Sequence, residues 1–199
     1  MTMLVKICGL QDAADVSAAV EAGADAVGFV FAESVRRITP AQARAAARDA
    51  PPGIRRVAVM RHPSGDELQS VLDGFEPDVL QTDAEDYAHL TIPDRLERWP
   101  VYRQGRLRVE EDLPDTFVYE GADSGTGETV DWTRAAEIAE HGNMILAGGL
   151  AEDNVAEALR IVRPWGVDVS SGVESLPGCK DHELIQRFVG AVRAAERDL

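Results

Sequence analysis

Short apolar runs and longer segments of helical periodicity alternate along the chain. The first apolar run, residues 3–8, is followed by Gly9 and then by an alanine- and valine-rich segment with helical spacing. This alternation recurs to the end of the chain and predicts strands that each lead into a helix. The strands are expected at 3–8, 24–31, 56–60, 78–82, 100–103, 116–120, 143–147 and 165–169. The helices are expected at 12–21, 41–50, 64–74, 87–98, 132–140, 152–162 and 181–196.

Eight strands that alternate with helices predict a single-domain (β/α)8 TIM barrel with parallel strands over residues 1–199. Pro93 interrupts the helix expected at 87–98. Residues 104–114 form a short polar segment, so the fifth helix is expected to be reduced or missing. An open doubly wound sheet shows the same alternation, but it usually carries a glycine-rich fingerprint after its first strand, which residues 8–10 do not supply.

The first strand places a thiol at the mouth of such a barrel. Because side chains alternate faces along a strand, Val5 and Ile7 are expected to face helices, while Lys6 and Cys8 face the barrel axis. Active sites lie at the C-terminal ends of barrel strands, where Cys8 is found. The ammonium of Lys6, one layer below, is expected to favour the Cys8 thiolate. A buried structural cysteine is the alternative, and these residues alone support it equally well.

Two glycine-containing turns follow the last two strands. Gly148 and Gly149 come after the seventh strand, and Ser170, Ser171 and Gly172 come after the eighth. Barrels commonly bind phosphate at these two loops, where free backbone N–H groups attract an anion. The alternative is that these are tight turns that need positive φ angles. Two such turns on adjacent strands favour phosphate binding.

Composition narrows the possible partners. A net charge of −15 argues against nucleic-acid binding. The chain contains no run of about 20 apolar residues, so no membrane-spanning segment is predicted. Two cysteines suit a reducing cytoplasm, and the four histidines lack metal-ligand spacing, so no metal is expected. Only Lys6 and Lys180 among the 20 basic residues are lysines. Such an acidic, lysine-poor chain suggests a halophilic protein, although a GC-rich genome would also replace lysine with arginine.

Several strings in chain order resemble the phosphoribosylanthranilate isomerase family of tryptophan biosynthesis. The strings are Val-Lys-Ile-Cys-Gly at 5–9, Gly-Phe-Val-Phe at 28–31, Ser-Val-Arg-Arg-Ile-Thr-Pro at 34–40, Gly-Thr-Gly at 125–127 with Asp-Trp at 131–132, Ala-Gly-Gly-Leu at 147–150, Val-Asp-Val-Ser-Ser-Gly-Val-Glu at 167–174 and Pro-Gly-Cys-Lys-Asp at 177–181. The matches span nearly the whole chain.

The resemblance implies a (β/α)8 barrel that catalyses the Amadori rearrangement of N-(5-phosphoribosyl)anthranilate without a cofactor. It implies that Cys8 is the general base, that Arg36 binds the anthranilate carboxylate and that the turns at Gly148, Gly149, Ser170, Ser171 and Gly172 bind the phosphate. The expected partner is therefore a small phosphosugar, and the chain is expected to act in the cytoplasm as a monomer or homodimer. Asp168 is expected to pair with Lys6, because the eighth strand neighbours the first in a closed barrel.

The chain departs from the family pattern at two strand ends. Where the family has an aspartate acid at the end of strand six, this chain has Glu120, and Asp123 on the following loop is the alternative acid. In strand four Gln81, a candidate substrate contact, matches the family, whereas Asp83-Ala84 after that strand replaces a His-Gly pair. Two other functions stay open. One is a different phosphosugar barrel, such as an indole-glycerol-phosphate synthase or epimerase relative, and the other is a non-catalytic phosphate-binding barrel.

Overall fold

The computed structural model of the protein describes residues 2–106, 113–122 and 129–199. Eight parallel strands close into a barrel in chain order, with β1 paired to both β2 and β8. The strands are β1 Leu4–Cys8, β2 Ala26–Val30, β3 Arg55–Val59, β4 Val79–Asp83, β5 Glu97–Arg103, β6 Thr116–Glu120, β7 Asn143–Leu146 and β8 Gly166–Val169. The predicted parallel (β/α)8 barrel is confirmed.

Six α-helices surround the barrel in the described part of the chain. They are α1 Ala13–Ala22, α2 Pro40–Ala46, α3 Gly65–Phe75, α4 Trp132–Ala139, α5 Val155–Val162 and α6 His182–Ala195. Thr39 and Ser64 begin α2 and α3 with capping boxes, in which side chain and backbone satisfy each other's hydrogen bonds. Within 2–106, 113–122 and 129–199, no helix is long and apolar enough to cross a membrane.

The connection between β4 and β5 differs from the predicted helix at 87–98. It contains a 3₁₀ turn, Ala84–Ala88, and β5 then begins at Glu97 rather than at residue 100. Pro93 lacks a backbone N–H and disfavours helical geometry in the residue before it, which explains why the helix does not form. Trp99, which belongs to β5, lies fully buried inside the barrel.

The fifth helix, between β5 and β6, is predicted to be reduced or missing. Residues 107–112, which form most of it, lie outside the described residues, and no helix occurs at 104–106 or 113–115.

After β8 the chain adds a feature that the sequence did not predict: a short antiparallel hairpin of β9 Glu174–Leu176 and β10 Cys179–Lys180. This hairpin lies beside the mouth, where its residues Glu174 and Lys180 contact Arg36 and Ser170.

The barrel has two hydrophobic regions, separated by the alternation of side chains along each strand. Val5 and Ile7 join the larger one, between the strands and the surrounding helices. The smaller one fills the barrel interior with Leu4, Ala26, Val57, Val79, Trp99, Val101, Val118, Ile145 and Ala147. Lys6 and Cys8 share the inward face with Leu4, which confirms the orientation predicted for β1.

Candidate active site

One cavity opens at the C-terminal ends of the strands. Most of the residues singled out in the sequence line it, from six different strand ends or loops: Cys8, Arg36, Gln81, Glu120, Gly148, Gly149, Ser170 and Ser171. Arg103 and Asp168 line it as well. Gly172 lies beside the cavity but not on its wall. A Cβ atom at Gly172 would lie 2.0 Å from the Leu150 carbonyl oxygen, so glycine is required there for the two loops to pack.

Cys8 is a free, buried cysteine at the end of β1. Burial raises the pKa of the Cys8 thiol; the Lys6 ammonium lowers it and the Asp168 carboxylate raises it further, so the net shift is upward. The expectation that Lys6 would favour the thiolate is therefore met only in part. Desolvation outweighs the attraction of the ammonium, and the resting thiol is protonated.

Lys6 and Asp168 form the predicted interior ion pair below Cys8. The Lys6 Nζ atom lies 2.8 Å from Asp168 Oδ2, and the lysine side chain is fully buried. Burial lowers the pKa of Lys6, but Asp168 and Cys8 raise it by more, so the ammonium form persists. The second oxygen of Asp168 has no hydrogen-bond partner among the described residues and is buried next to the cavity.

Arg36 is held by a residue of the β9–β10 hairpin. Its Nε and Nη2 atoms donate hydrogen bonds of 2.7 and 2.8 Å to the two oxygens of Glu174. Lys180 Nζ lies 2.7 Å from the same carboxylate and donates to the Ser170 carbonyl at 2.9 Å. Burial raises the pKa of Glu174, but the hydrogen bonds from Arg36 and Lys180 outweigh it and lower that pKa to about 2. Glu174 is therefore a firmly ionised anchor for the Arg36 guanidinium.

Glu120 occupies the position expected for it at the end of β6. Val118 faces the barrel interior, whereas Phe117 and Tyr119 pack outside, which agrees with the predicted alternation along this strand. The Glu120 carboxylate forms an ion pair with Arg103 Nη1. A guanidinium in contact favours the ionised form of a carboxyl group. The alternative acid, Asp123, lies outside the described residues.

Gln81 is a buried polar side chain in the wall of the cavity. Its Oε1 atom has no hydrogen-bond partner in the part of the chain that the structure describes. A buried acceptor without a partner costs roughly 1–3 kcal/mol. A bound molecule that donates a hydrogen bond at this point would recover that free energy.

The glycine turns at the mouth have backbone geometries that only glycine adopts easily. Gly148 and Gly149 have φ angles of 94° and 61°. Asn154 Nδ2 donates to the Gly149 carbonyl at 2.8 Å and thereby fixes the turn. The expected helix start at 152 is wrong, because α5 begins at Val155 after a further turn. The α5 N-terminus therefore does not directly follow the glycines, and anion binding here depends on the loops themselves.

One group of possible metal ligands occurs among the described residues: His62, Asp83 and Asp86. His62 Nδ1 lies 2.9 Å from Asp86 Oδ1, and Nε2 lies 3.6 Å from Asp83 Oδ2. The spacing of the histidines could not reveal this group, because two of its members come from β4 and the turn after it. Arg103 lies 2.6 Å from Asp83, and its positive charge disfavours a cation at this place.

A closed parallel barrel whose charged cavity lies at the C-terminal strand ends defines a TIM-barrel protein with its site in the position that such enzymes use. Residues 5–191 match the family model described as N-(5'phosphoribosyl)anthranilate (PRA) isomerase. The chain belongs to this family.

Relatives and solved structures cover nearly the whole chain. N-(5'-phosphoribosyl)anthranilate isomerase of Listeria welshimeri is 38% identical over 98% of this chain and 100% of the relative. The isomerase of Pseudomonas fluorescens is 40% identical over 94% and 97%. The structure of the Thermus thermophilus isomerase is similar with a TM-score of 0.85 at 29% identity, covering 96% of this chain and 99% of that one. A family structure in complex with reduced 1-(o-carboxyphenylamino)-1-deoxyribulose 5-phosphate has a TM-score of 0.77 at 29% identity, covering 98% and 100%.

Proposed function

We propose that this protein converts N-(5-phosphoribosyl)anthranilate to 1-(2-carboxyphenylamino)-1-deoxyribulose 5-phosphate, the Amadori rearrangement of tryptophan biosynthesis. The observation that carries the proposal is the pairing of a buried thiol and a carboxylate on the wall of one cavity. Cys8 ends β1 and Glu120 ends β6, and both line the mouth of the barrel. Membership of the isomerase family over residues 5–191 supports the same reaction.

The rearrangement needs one proton donor and one proton acceptor. The working form is proposed to be a Cys8 thiolate with a protonated Glu120, which carries the same number of protons as the resting thiol and carboxylate. In that form Glu120 protonates the ribose ring oxygen as the C1–O bond breaks, which leaves a C1=N iminium group. Cys8 is proposed to remove the proton from C2, and the electrons of that C–H bond form the C1=C2 bond of an enolamine. Tautomerisation of the enolamine to the ketone completes the reaction. The Lys6 ammonium below Cys8 stabilises the thiolate when it forms.

Three features of the mouth suit the proposed substrate. Arg36 is assigned to the anthranilate carboxylate, and Glu174 keeps its guanidinium in place. The turns at Gly148, Gly149, Ser170, Ser171 and Gly172 are assigned to the phosphate, because their backbones lie at the two loops that bind phosphate in many barrels. Gln81 is assigned to a hydrogen-bond donor of the substrate, since its Oε1 lacks a partner among the described residues.

The proposed reaction uses no metal ion or organic cofactor. We infer that the protein works in the cytoplasm on a small phosphosugar, with neither nucleic acid nor membrane as a partner, and as a monomer or a homodimer. A solved relative from Thermotoga maritima is described as a monomer generated from a dimeric isomerase, and it is 29% identical to this chain. Gel filtration with light scattering would decide between the two states.

The test is the growth of a tryptophan auxotroph that lacks this isomerase. The parent chain is expected to restore growth without tryptophan, whereas Cys8→Ser is expected to fail and to lose at least about two orders of magnitude in turnover. Cys179→Ser, at an exposed cysteine, is the matched control and should restore growth like the parent. No growth with the parent chain, despite soluble expression, would contradict the proposed activity. Near-normal turnover of Cys8→Ser would exclude Cys8 as the base.

A further inference from the structure

We propose that Arg103 and Asp83 are positioning residues for Glu120, and that together they fix the orientation and the protonation of this carboxyl group. This inference rests on the proposed function in one respect, the role of Glu120 as the general acid. The three residues form a row of alternating charge along the rim of the barrel. Neither Arg103 nor Asp83 was assigned a role from the sequence.

The row follows from the register of three neighbouring strands. Asp83, Arg103 and Glu120 are the last residues of β4, β5 and β6, respectively. The register between β5 and β6 places Arg103 directly opposite Glu120. The register between β4 and β5 places Asp83 opposite Val101, two residues before Arg103, so an extended arginine reaches both carboxylates.

The contacts use two different edges of one guanidinium. Arg103 Nε donates to Asp83 Oδ1 at 2.6 Å, and Nη1 donates to Glu120 Oε1. A planar guanidinium held at two edges cannot rotate without breaking one of these bonds. Asp83 therefore holds Arg103, and Arg103 in turn holds the Glu120 carboxyl group.

The three charged side chains of the row are largely buried, which strengthens the electrostatic interactions between them. The Asp83 and Arg103 side chains are 3% and 5% exposed, and Glu120 is 15% exposed at the cavity wall. Burial lowers the pKa of Arg103, but Asp83 and Glu120 raise it by more, so the guanidinium stays charged. With little water between them, each charge acts strongly on its neighbour.

Other charged groups also face this row from the described residues. Arg61 and His62, which follow β3, lie 3.9 and 3.6 Å from the second oxygen of Asp83. Asp86, in the turn after β4, pairs with His62 on its other side. Cys8, Asp168 and Arg36 line the same cavity as Arg103 and Glu120. Glu85 and Arg106 line a second cavity together with Asp83 and Arg103. Arg103 is a buried cation in direct contact with Glu120, so removing its charge should change the titration of Glu120.

The arrangement predicts effects of opposite sign for two substitutions. Arg103→Met removes a cation that contacts the Glu120 carboxylate, so Glu120 should titrate at higher pH, by at least about one unit. Asp83→Asn removes the carboxylate that neutralises Arg103 on its other side, so the guanidinium acts more strongly on Glu120. Glu120 should then titrate at lower pH, by about half a unit or more.

The experiment follows the Glu120 carboxyl group directly by ¹³C NMR, with its signal assigned by its absence in Glu120→Gln. Turnover of each variant is measured alongside. Arg98→Met, at an exposed arginine on the same strand, and Asp94→Asn, at an exposed aspartate, are the matched controls and should leave the titration unmoved. Arg103→Lys keeps a positive charge but loses the planar guanidinium that donates to both carboxylates. It is expected to leave Glu120 within about half a unit of the parent and to lower kcat with little change in KM, and it keeps the test available if Arg103→Met does not fold.

Each outcome bears on a different claim. Shifts of the same sign in Arg103→Met and Asp83→Asn, or no shift in either, would overturn the positioning role. If Glu120→Gln at the same time loses its turnover, the acid assignment stands and only this inference fails. If Glu120→Gln keeps full turnover, both the acid assignment and this inference are overturned.

Discussion

Replacing Glu174 with glutamine tests how much the ion pairs of Glu174 with Arg36 and Lys180 stabilise the folded protein. Glu174→Gln keeps the shape of the side chain and removes its charge. In the parent, this carboxylate accepts two hydrogen bonds from Arg36, one from Lys180 and one from the backbone of Gly178 at 3.2 Å. The side chain is almost fully buried, so water cannot replace these partners.

The expected loss of stability follows from the pKa of Glu174, which lies at about 2 in the folded protein against an ordinary value of 4.5. At about 1.4 kcal/mol per pKa unit, this shift corresponds to about 3 kcal/mol of folding free energy at neutral pH. The variant also leaves Lys180 without its carboxylate. Burial already lowers the pKa of Lys180, so the lysine can lose its proton in the variant, and this limits the additional cost.

The direction of the pKa shift of Glu174 determines how its contribution to stability changes with pH. Because the folded-state pKa lies below the unfolded one, the stabilisation is complete above pH 4.5 and disappears as the pH falls towards about 2. The difference in unfolding free energy between parent and Glu174→Gln should therefore shrink on acidification. Near pH 3, about 2 kcal/mol of it should be gone.

The assay is urea unfolding of both proteins from neutral pH to about pH 3. Glu183→Gln is the matched control, because Glu183 also pairs with an arginine, Arg187, at 3.0 Å, but both side chains are exposed. Exposed pairs contribute about 0–1 kcal/mol, so this control should differ little from the parent at any pH. A Glu174→Gln difference below about 1 kcal/mol at neutral pH, or one that does not change with pH, would refute the reasoning.

Three further predictions concern the substrate, the acid and the surface. Arg36→Ala should weaken substrate binding by about 2–5 kcal/mol, and an unchanged KM would exclude Arg36 as the carboxylate clamp. Glu120→Gln should lose turnover while Asp123→Asn keeps it, and the reverse result in assays across pH would identify Asp123 as the acid. The thermal midpoint and the activity should rise from low to molar potassium chloride, because salt screens repulsion among the carboxylates of a chain with net charge −15. An unchanged midpoint would contradict salt adaptation.

The barrel could be predicted because a short apolar run in the sequence marks each strand. Closure then determines that β8 neighbours β1, and this neighbourhood alone predicts the Lys6–Asp168 pair. The error at 87–98 has a local cause. The segment is short of strong periodic signals, and Pro93 stops a helix there without indicating what replaces it.

The ion pairs of the mouth were missed for a different reason. Arg103 shares the inward parity of β5 with Trp99 and Val101, and Asp83 shares that of β4 with Val79 and Gln81, so the alternation did contain a signal. A charged residue at a strand end usually lies in solvent, so the alternation alone does not predict that Asp83 and Arg103 face inward. Glu174 could not be found in this way, because its position depends on a hairpin that no periodicity predicts.

The two lysines of the chain show how an acidic protein can hold an anionic substrate. All other basic residues are arginines, yet Lys6 and Lys180 both have fully buried side chains beside the mouth. An ammonium is compact and donates from a single point, which suits the position of Lys6 below Cys8 and that of Lys180 between Glu174 and Ser170. Charges on the outer surface are screened over about 10 Å at 0.1 M salt, whereas buried charges are screened much less. The substrate assigned here carries a phosphate, which is assigned to the backbone of the glycine turns, and a carboxylate, which is assigned to Arg36. Lys6 is paired with Asp168, whereas Arg36 and Lys180 share the single carboxylate of Glu174. The excess positive charge beside the mouth therefore comes from this second cluster, and not from the net charge of the molecule.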